Sequence, residues 1–164
     1  MSDNPYAAPQ SDVERSTSAG ELASRGKRLL AVIVDAIIVS VITVPLYFVF
    51  GIWSSLANGS FVTLLIAGLL SFGVWVAINY VPLEKTGQTI GKKLLGIQIV
   101  GVDSRQILPA LDIILKRMLP ITIAANIPFI GRIAGLVDAL MIFRADRRCG
   151  HDLIAGTIVV DYAG

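Results

Sequence analysis

The sequence predicts an all-α membrane protein: a helical transmembrane bundle of two clear spans plus a proline-broken helical hairpin, with a small cytoplasmic β element. Three observations lead there. Of 164 residues 54% are hydrophobic and only 16% charged, with a mean hydropathy of +0.72. A soluble domain is nearer a quarter charged, and a chain this short and apolar cannot cover its own surface with polar groups. Two runs, 29–50 and 61–83, are long and apolar enough to cross a bilayer. The lysines and arginines gather beside these runs, as topology signals do. The composition excludes an ordinary soluble globular enzyme, and no catalytic activity or cofactor is expected. A net charge of +2 is too weak for a nucleic-acid binder without an exposed basic face.

The elements follow in order. Residues 1–20, rich in Ser, Pro, Ala and Asp, cannot bury enough surface to offset ordering entropy and are expected to be a disordered tail. They do not read as a secretory signal, because the basic group Arg25, Lys27 and Arg28 comes late and the apolar run behind it is too long. Residues 21–164 then form one transmembrane domain. The run 29–50 carries one charge, Asp35, and at the helical rise extends about 33 Å against a hydrocarbon core of roughly 30 Å. The run 61–83 carries none. The uncharged, turn-prone stretch 51–60 joins the two as an antiparallel hairpin. Ala67/Ser71 and Gly73/Ala77 are small-xxx-small pairs that let a neighbouring helix approach.

Residues 84–106 are polar. TGQTIGKK predicts a loop with one helical turn, and the alternation over 97–102 predicts a strand ended by Asp103-Ser104. The stretch 107–143 is apolar but interrupted by Pro109, Pro120, Pro128 and Gly131. It reads either as an interfacial helix followed by a span or as two helices near 108–126 and 131–143 turning at Asn126-Ile127-Pro128. The tail 144–164 is basic at first and then holds a strand candidate, 157–161. Neither strand is stable alone, so the two should pair, bring Lys92 and Lys93 near His151-Asp152, and be held by a Lys–Asp contact.

Orientation follows from the cations. Arg15, Arg25, Lys27 and Arg28 precede the first span; Lys85, Lys92, Lys93, Arg105, Lys116 and Arg117 follow the second; Arg144, Arg147 and Arg148 follow the last apolar stretch; none lies in 51–60. All three flanks favour the cytoplasm, which requires an even number of crossings and therefore the hairpin, shallow or re-entrant because Lys116 and Arg117 would otherwise lie deep in lipid. Both termini are then cytoplasmic and the protein is a multi-pass protein of the cell (inner) membrane.

The charges inside apolar stretches are the functional signal. An acid at the centre of a span costs about 2.5–3.5 kcal/mol on insertion scales, so it faces protein or water and has a partner. Asp35 lies seven residues after Arg28, on the same helical face and about 10 Å along the axis. Arg117 and Arg132 are further partners for it. Asp138 holds a similar position before the last basic flank. Asp35 with Asp138 then forms an ion or proton site, or else these charges are fixed salt bridges that set helix packing; for any single residue the chemistry alone favours the second. Asp112–Lys116 is an i,i+4 pair on a solvated face.

Other motifs carry less. Gly87–Lys93 has three residues between its glycines and Lys93 where a phosphate loop needs Ser or Thr. The lone cysteine, Cys149, excludes an intrachain disulfide and any multi-cysteine zinc site, and reads as a reduced cytosolic thiol. His151 beside Asp152 is no metal site by itself, and no metal is expected.

Three motifs in order make the chain recognisable. Arg28-Leu-Leu-Ala-Val-Ile-Val-Asp35 resembles the opening of the RDD family of small bacterial membrane proteins, Gly87-Gln-Thr-Ile-Gly-Lys-Lys-Leu-Leu-Gly96 its central motif, and His151-Asp152-Leu-Ile-Ala-Gly-Thr157 its closing motif. The resemblance covers about residues 22–161. It implies that Arg28 and Asp35 hold the first two signature positions and Asp152 the third, with Asp138 an alternative. It further implies transport of unidentified ligands, with sodium/proton exchange in some members; together with the intramembrane charges, Asp35, Arg28, Asp138, Asp152 and Arg117 are then the expected ion- or substrate-binding residues. Four short helices are few for a transport path, so this reading expects a homo-oligomer. The competing class is a non-transporting scaffold that assembles with other membrane proteins.

Overall fold

The computed structural model describes residues 20–57, 60–125, 127 and 130–162. Residues 1–19 of the expected tail, and Asn126 and Pro128 of the expected turn, lie outside them. Two long helices dominate: α1, Arg25–Val49, and α3, Phe61–Thr86. Both begin or end further out than the apolar runs, for local reasons. The Ser24 hydroxyl accepts from the Lys27 N–H at 3.3 Å and so starts α1 at Arg25. Gly87, at φ +63°, takes the left-handed conformation that ends α3, its N–H bonding the Leu83 carbonyl at 2.9 Å. The stretch between the two is more ordered than the sequence predicts: Ile52–Ala57 forms a short helix, α2, with Trp53 stacked on Phe48 at 4.9 Å.

Within the central stretch of each long helix only 17% (α1) and 6% (α3) is buried, and large side chains such as Val41, Phe48 and Leu69 point outward. A core helix of a soluble protein would be mostly covered; these two present apolar surface on the scale of a bilayer. They meet at Tyr47, whose hydroxyl donates to the Ala67 carbonyl at 2.8 Å and lies 2.5 Å from the Ser71 hydroxyl. The Ala67/Ser71 pair thus serves close approach as expected, whereas Gly73 and Ala77 face outward.

Beyond α3 the chain builds a polar cap. A one-turn helix, α4, Ile90–Leu94, starts at Thr89, whose hydroxyl accepts from the Lys92 N–H. Strand β1, Ile97–Gly101, ends one residue short of the predicted limit, and β2 runs Thr157–Asp161. They pair antiparallel, with Ile99 opposite Val159, as the two lonely strand signals require. Leu22 and Ala23 join the far edge of β2 just before α1 begins. The expected lysine contact differs in identity. Lys27 Nζ holds Asp161 at 2.6 Å, while Asp152 is taken by arginines.

The segment 107–143 contains α5, Ala110–Asp112, a π-helical stretch Ile113–Met118, α6, Leu119–Ala125, and α7, Ile130–Leu140, with a closing 3-10 turn Met141–Phe143. The wide π turn precedes Pro120, which has no N–H to give to the Lys116 carbonyl four residues back. The Glu84 carboxylate accepts from the Ala110 N–H at 2.7 Å and anchors this segment to the end of α3. Asp112 and Lys116 pair at 2.6 Å on an exposed face, as the sequence predicts. The last helix, α8, Gly150–Ala155, leads into β2 through Gly156. The core lies where cap and helices meet: Ala31, Leu83, Ile97, Ile99, Ala110, Ile113 and Val159 are buried against one another.

Candidate functional site: a buried charge network between helix and cap

Four of the sequence's candidates, Arg28, Arg117, Asp138 and Asp152, form one polar network with His151 where α1, the π segment, α7 and α8 converge, and the fifth, Asp35, is held separately by α4. Asp152 is its centre and is fully buried. One oxygen, Oδ2, accepts from Arg28 Nη2 and from the Cys149 N–H; the other, Oδ1, lies 2.7 Å from Arg117 Nη2 and accepts from the Thr157 hydroxyl at 3.1 Å. Arg28 also donates from Nη1 to the Arg147 carbonyl. Burial opposes ionisation of Asp152, but the charge of Arg117, together with that of Arg28, outweighs it and holds the carboxyl well below the usual carboxylate range. The group is therefore an anion that ties together the start of α1, the π segment and α8.

This corrects the expected partnership of Arg28 with Asp35. Both do lie on the buried face of α1, but the arginine turns to Asp152, and so does Arg117. Asp35 is met by the cap itself: Oδ2 accepts from the Thr89 hydroxyl at 2.5 Å and Oδ1 from the Gly91 N–H at 2.7 Å. The approach is close enough that Gly91 faces the Ala31 carbonyl and the Asp35 carboxylate with no space for a Cβ. The Arg132 side chain lies outside what the structure describes.

Asp138 is reached through His151, a residue the sequence reading set aside. His151 Nδ1 lies 2.7 Å from Asp138 Oδ2, its N–H donates to Oδ1 at 3.0 Å, and Nε2 lies 3.2 Å from Arg117 Nη2. Burial lowers the His151 pKa, leaving the ring neutral near pH 7. A guanidinium can only donate, so Nε2 must accept, and Nδ1 carries the proton given to Asp138. Burial likewise pushes the Cys149 thiol up to about 11, which keeps it protonated.

Lys92 is the second residue outside the expected ion-binding set. It is 6% exposed, and among the described residues no ion pair holds its ammonium. Burial, then the Arg117 charge, lowers its pKa to about 8, against the opposing pull of Asp35 and Asp152. The signal available in the sequence was its place in the central motif, two residues after Ile90, where a lysine inside an otherwise close-packed turn has no obvious solvated face. Two atoms of Arg117, Nε and Nη1, are buried and have no hydrogen-bond partner among the described residues.

Two outward-facing apolar helices joined to a charge-locked cap define the class: a small helical membrane protein whose polar end is fastened to its first span by buried ion pairs. The chain belongs to the RDD family. The family's pattern matches residues 22–156, covering the Arg28–Asp35 opening, the Gly87–Gly96 turn and the His151–Gly156 closing helix. It is also 35% identical over 133 residues, 80% of each chain, to YckC of Bacillus subtilis (strain 168), which is described as uncharacterized. No solved structure matches the chain.

Proposed function

We propose that this RDD-family membrane protein is an ion transporter, or the ion-conducting component of one, that exchanges sodium for protons at Asp35 and Lys92. The observation that carries the reading is Lys92: a buried lysine with no ion-pair partner among the described residues, beside a carboxylate in the first span, titrating at about 8. Such a group is costly to keep, and perturbed titrations near working pH concentrate at functional sites. When Lys92 is neutral, the Asp35 carboxylate and the Thr89 hydroxyl supply hard oxygen donors of the kind a small cation takes. When Lys92 is protonated, its charge repels that cation and releases it. One sodium for one proton keeps the charge of the site constant. The two spans leave most of their surface uncovered, which favours a homo-oligomer that closes a path around Asp35. The cation-rich flanks favour a multi-pass protein of the inner membrane with both termini cytoplasmic.

The test is flux in sodium-loaded liposomes containing the purified protein and a pH dye. Sodium-dependent proton movement is expected, lost in Asp35→Asn and in Lys92→Met with expression and oligomer state intact. Because sodium and one proton compete, the apparent sodium affinity should weaken roughly tenfold per pH unit below about 8. The second reading, a non-transporting scaffold, is favoured by the closed Arg28–Asp152–Arg117 arrangement, which fastens the fold without any exchangeable group. Absence of flux together with co-purification of a fixed membrane partner selects the scaffold.

A further inference from the structure

We propose that Asp138, Cys149 and His151 bind a single zinc-class divalent cation through one carboxylate oxygen, one thiolate sulfur and one imidazole nitrogen. The three come from two elements, Asp138 from α7 and the others from the start of α8, and their ligand atoms lie within 4.8 Å of one another. Tetrahedral bonds of about 2.0–2.3 Å place neighbouring ligand atoms about 3.3–3.8 Å apart, so the widest separation closes by roughly 1 Å while the His151–Asp138 pair opens by about 0.6 Å. The His151–Asp138 contact at 2.7 Å marks the position: the proton now shared between Nδ1 and Oδ2 is where the cation enters. The side chains of His151 and Asp138 are 17% and 16% exposed, which leaves an entry path for the cation.

The surroundings complete the chemistry. With the cation on Nδ1, the imidazole proton moves to Nε2, which can no longer accept from Arg117. Asp152 Oδ1 lies 3.8 Å from Nε2 and can take that proton's hydrogen bond, the carboxylate–histidine–metal support that orients such ligands. Arg28 Nη2, 3.7 Å from the sulfur, donates to the thiolate. The balance is simple: the cation enters, the Cys149 S–H proton leaves to solvent, and the imidazole proton changes nitrogen. The carboxylate and the thiolate together match the charge of a divalent ion, so the neighbouring arginines meet no net excess. Gly150 belongs to the design, since a Cβ there would crowd Asp138 Oδ1 at 3.1 Å.

The test uses the full chain purified in detergent. Cobalt(II), added as a zinc surrogate, should give one tetrahedral ion per chain, with visible d–d bands and a sulfur-to-cobalt charge-transfer band in the near ultraviolet. Zinc should displace it, raise the melting temperature by about 5 °C and protect Cys149 from alkylation. Cys149→Ser, nearly the same size, should melt like the metal-free parent yet lose the charge-transfer band and the zinc shift. Asp138→Asn should weaken binding by roughly tenfold or more, and Asp112→Asn, on the exposed face, should not. Cobalt without a sulfur charge-transfer band, or zinc that neither shifts melting nor protects Cys149, overturns the proposal. So does a Cys149→Ser protein that retains the full zinc shift. Sodium flux in zinc-free buffer is a separate readout, so failure here leaves the exchange reading untouched.

Discussion

Two side chains carry most of the energetic consequence. Asp152 neutralises two buried guanidinium groups at once, so Asp152→Asn leaves Arg28 and Arg117 without their anion. Breaking a buried pair by removing one partner costs about 3–5 kcal/mol, and the expected result is a large drop in melting temperature or in folded yield. The double variant Asp152→Asn, Arg117→Met should recover part of it, because one of the two stranded charges is gone; a double variant no better than the single would refute the shared-anion account. Lys92 has the opposite sign. Its folded pKa of about 8 lies below the free value of 10.5, so between these values the unfolded chain binds more protons and stability rises with pH. Below pH 8 the buried charge costs the fold about 3 kcal/mol in full. Lys92→Met should therefore stabilise the protein at pH 7 and flatten its melting temperature between pH 8 and 10.5. A less stable Lys92→Met protein would mean that the ammonium is paired in the membrane.

At the scale of elements, the docking of α4 onto α1 depends on one missing Cβ. Gly91→Ala would drive a methyl group into the Ala31 carbonyl and the Asp35 carboxylate. Overpacking of this kind costs about 1–3 kcal/mol, and here it also pulls the Gly91 N–H and the Thr89 hydroxyl off Asp35. The variant should melt lower and expose the α4 turn to protease, whereas Gly96→Ala meets no neighbouring atom and is disfavoured only by its φ of +62°. Equal sensitivity at the two glycines would argue against close docking. Between the long helices the contact is lighter. Tyr47→Phe removes the hydroxyl that reaches Ala67 and Ser71, a loss of about 0.5–1.5 kcal/mol.

For the whole molecule, the decisive expectation is orientation. A cysteine placed in 51–60 should be labelled by an impermeant reagent from outside intact cells, while native Cys149, buried beneath Arg28 in the cap, should not. Labelling of Cys149 from outside would invert the arrangement. The same cap explains how a chain with two long, mostly uncovered helices keeps a defined polar end. Strand β2 receives β1 on one side and the Leu22–Ala23 segment on the other, so the start of α1 and the end of the chain close on each other. Cutting that closure by Lys27→Ala should matter little, since the Lys27–Asp161 pair is exposed and surface pairs contribute about 0–1 kcal/mol.

The sequence alone determined the apolar spans, the two strands and the fact that charges inside apolar stretches must be partnered, because hydropathy, alternation and desolvation act on local windows of the chain. It also marked Arg28, Asp35 and Asp152 through their motifs. Which charge meets which was decided only by tertiary structure. Arg28 and Asp35 share a helix face, and seven-residue spacing suggests a pair, yet the guanidinium reaches an aspartate 124 residues away and the carboxylate is taken by backbone and hydroxyl donors from a turn between them. His151 shows the same limit. Beside Asp152 in the chain it offered one ligand and one acid. Only the folding of α7 against α8 set Asp138 on its other nitrogen and Cys149 within reach, since a helical turn brings together neighbours in sequence, whereas a coordinating or relay cluster is assembled from separate elements by packing.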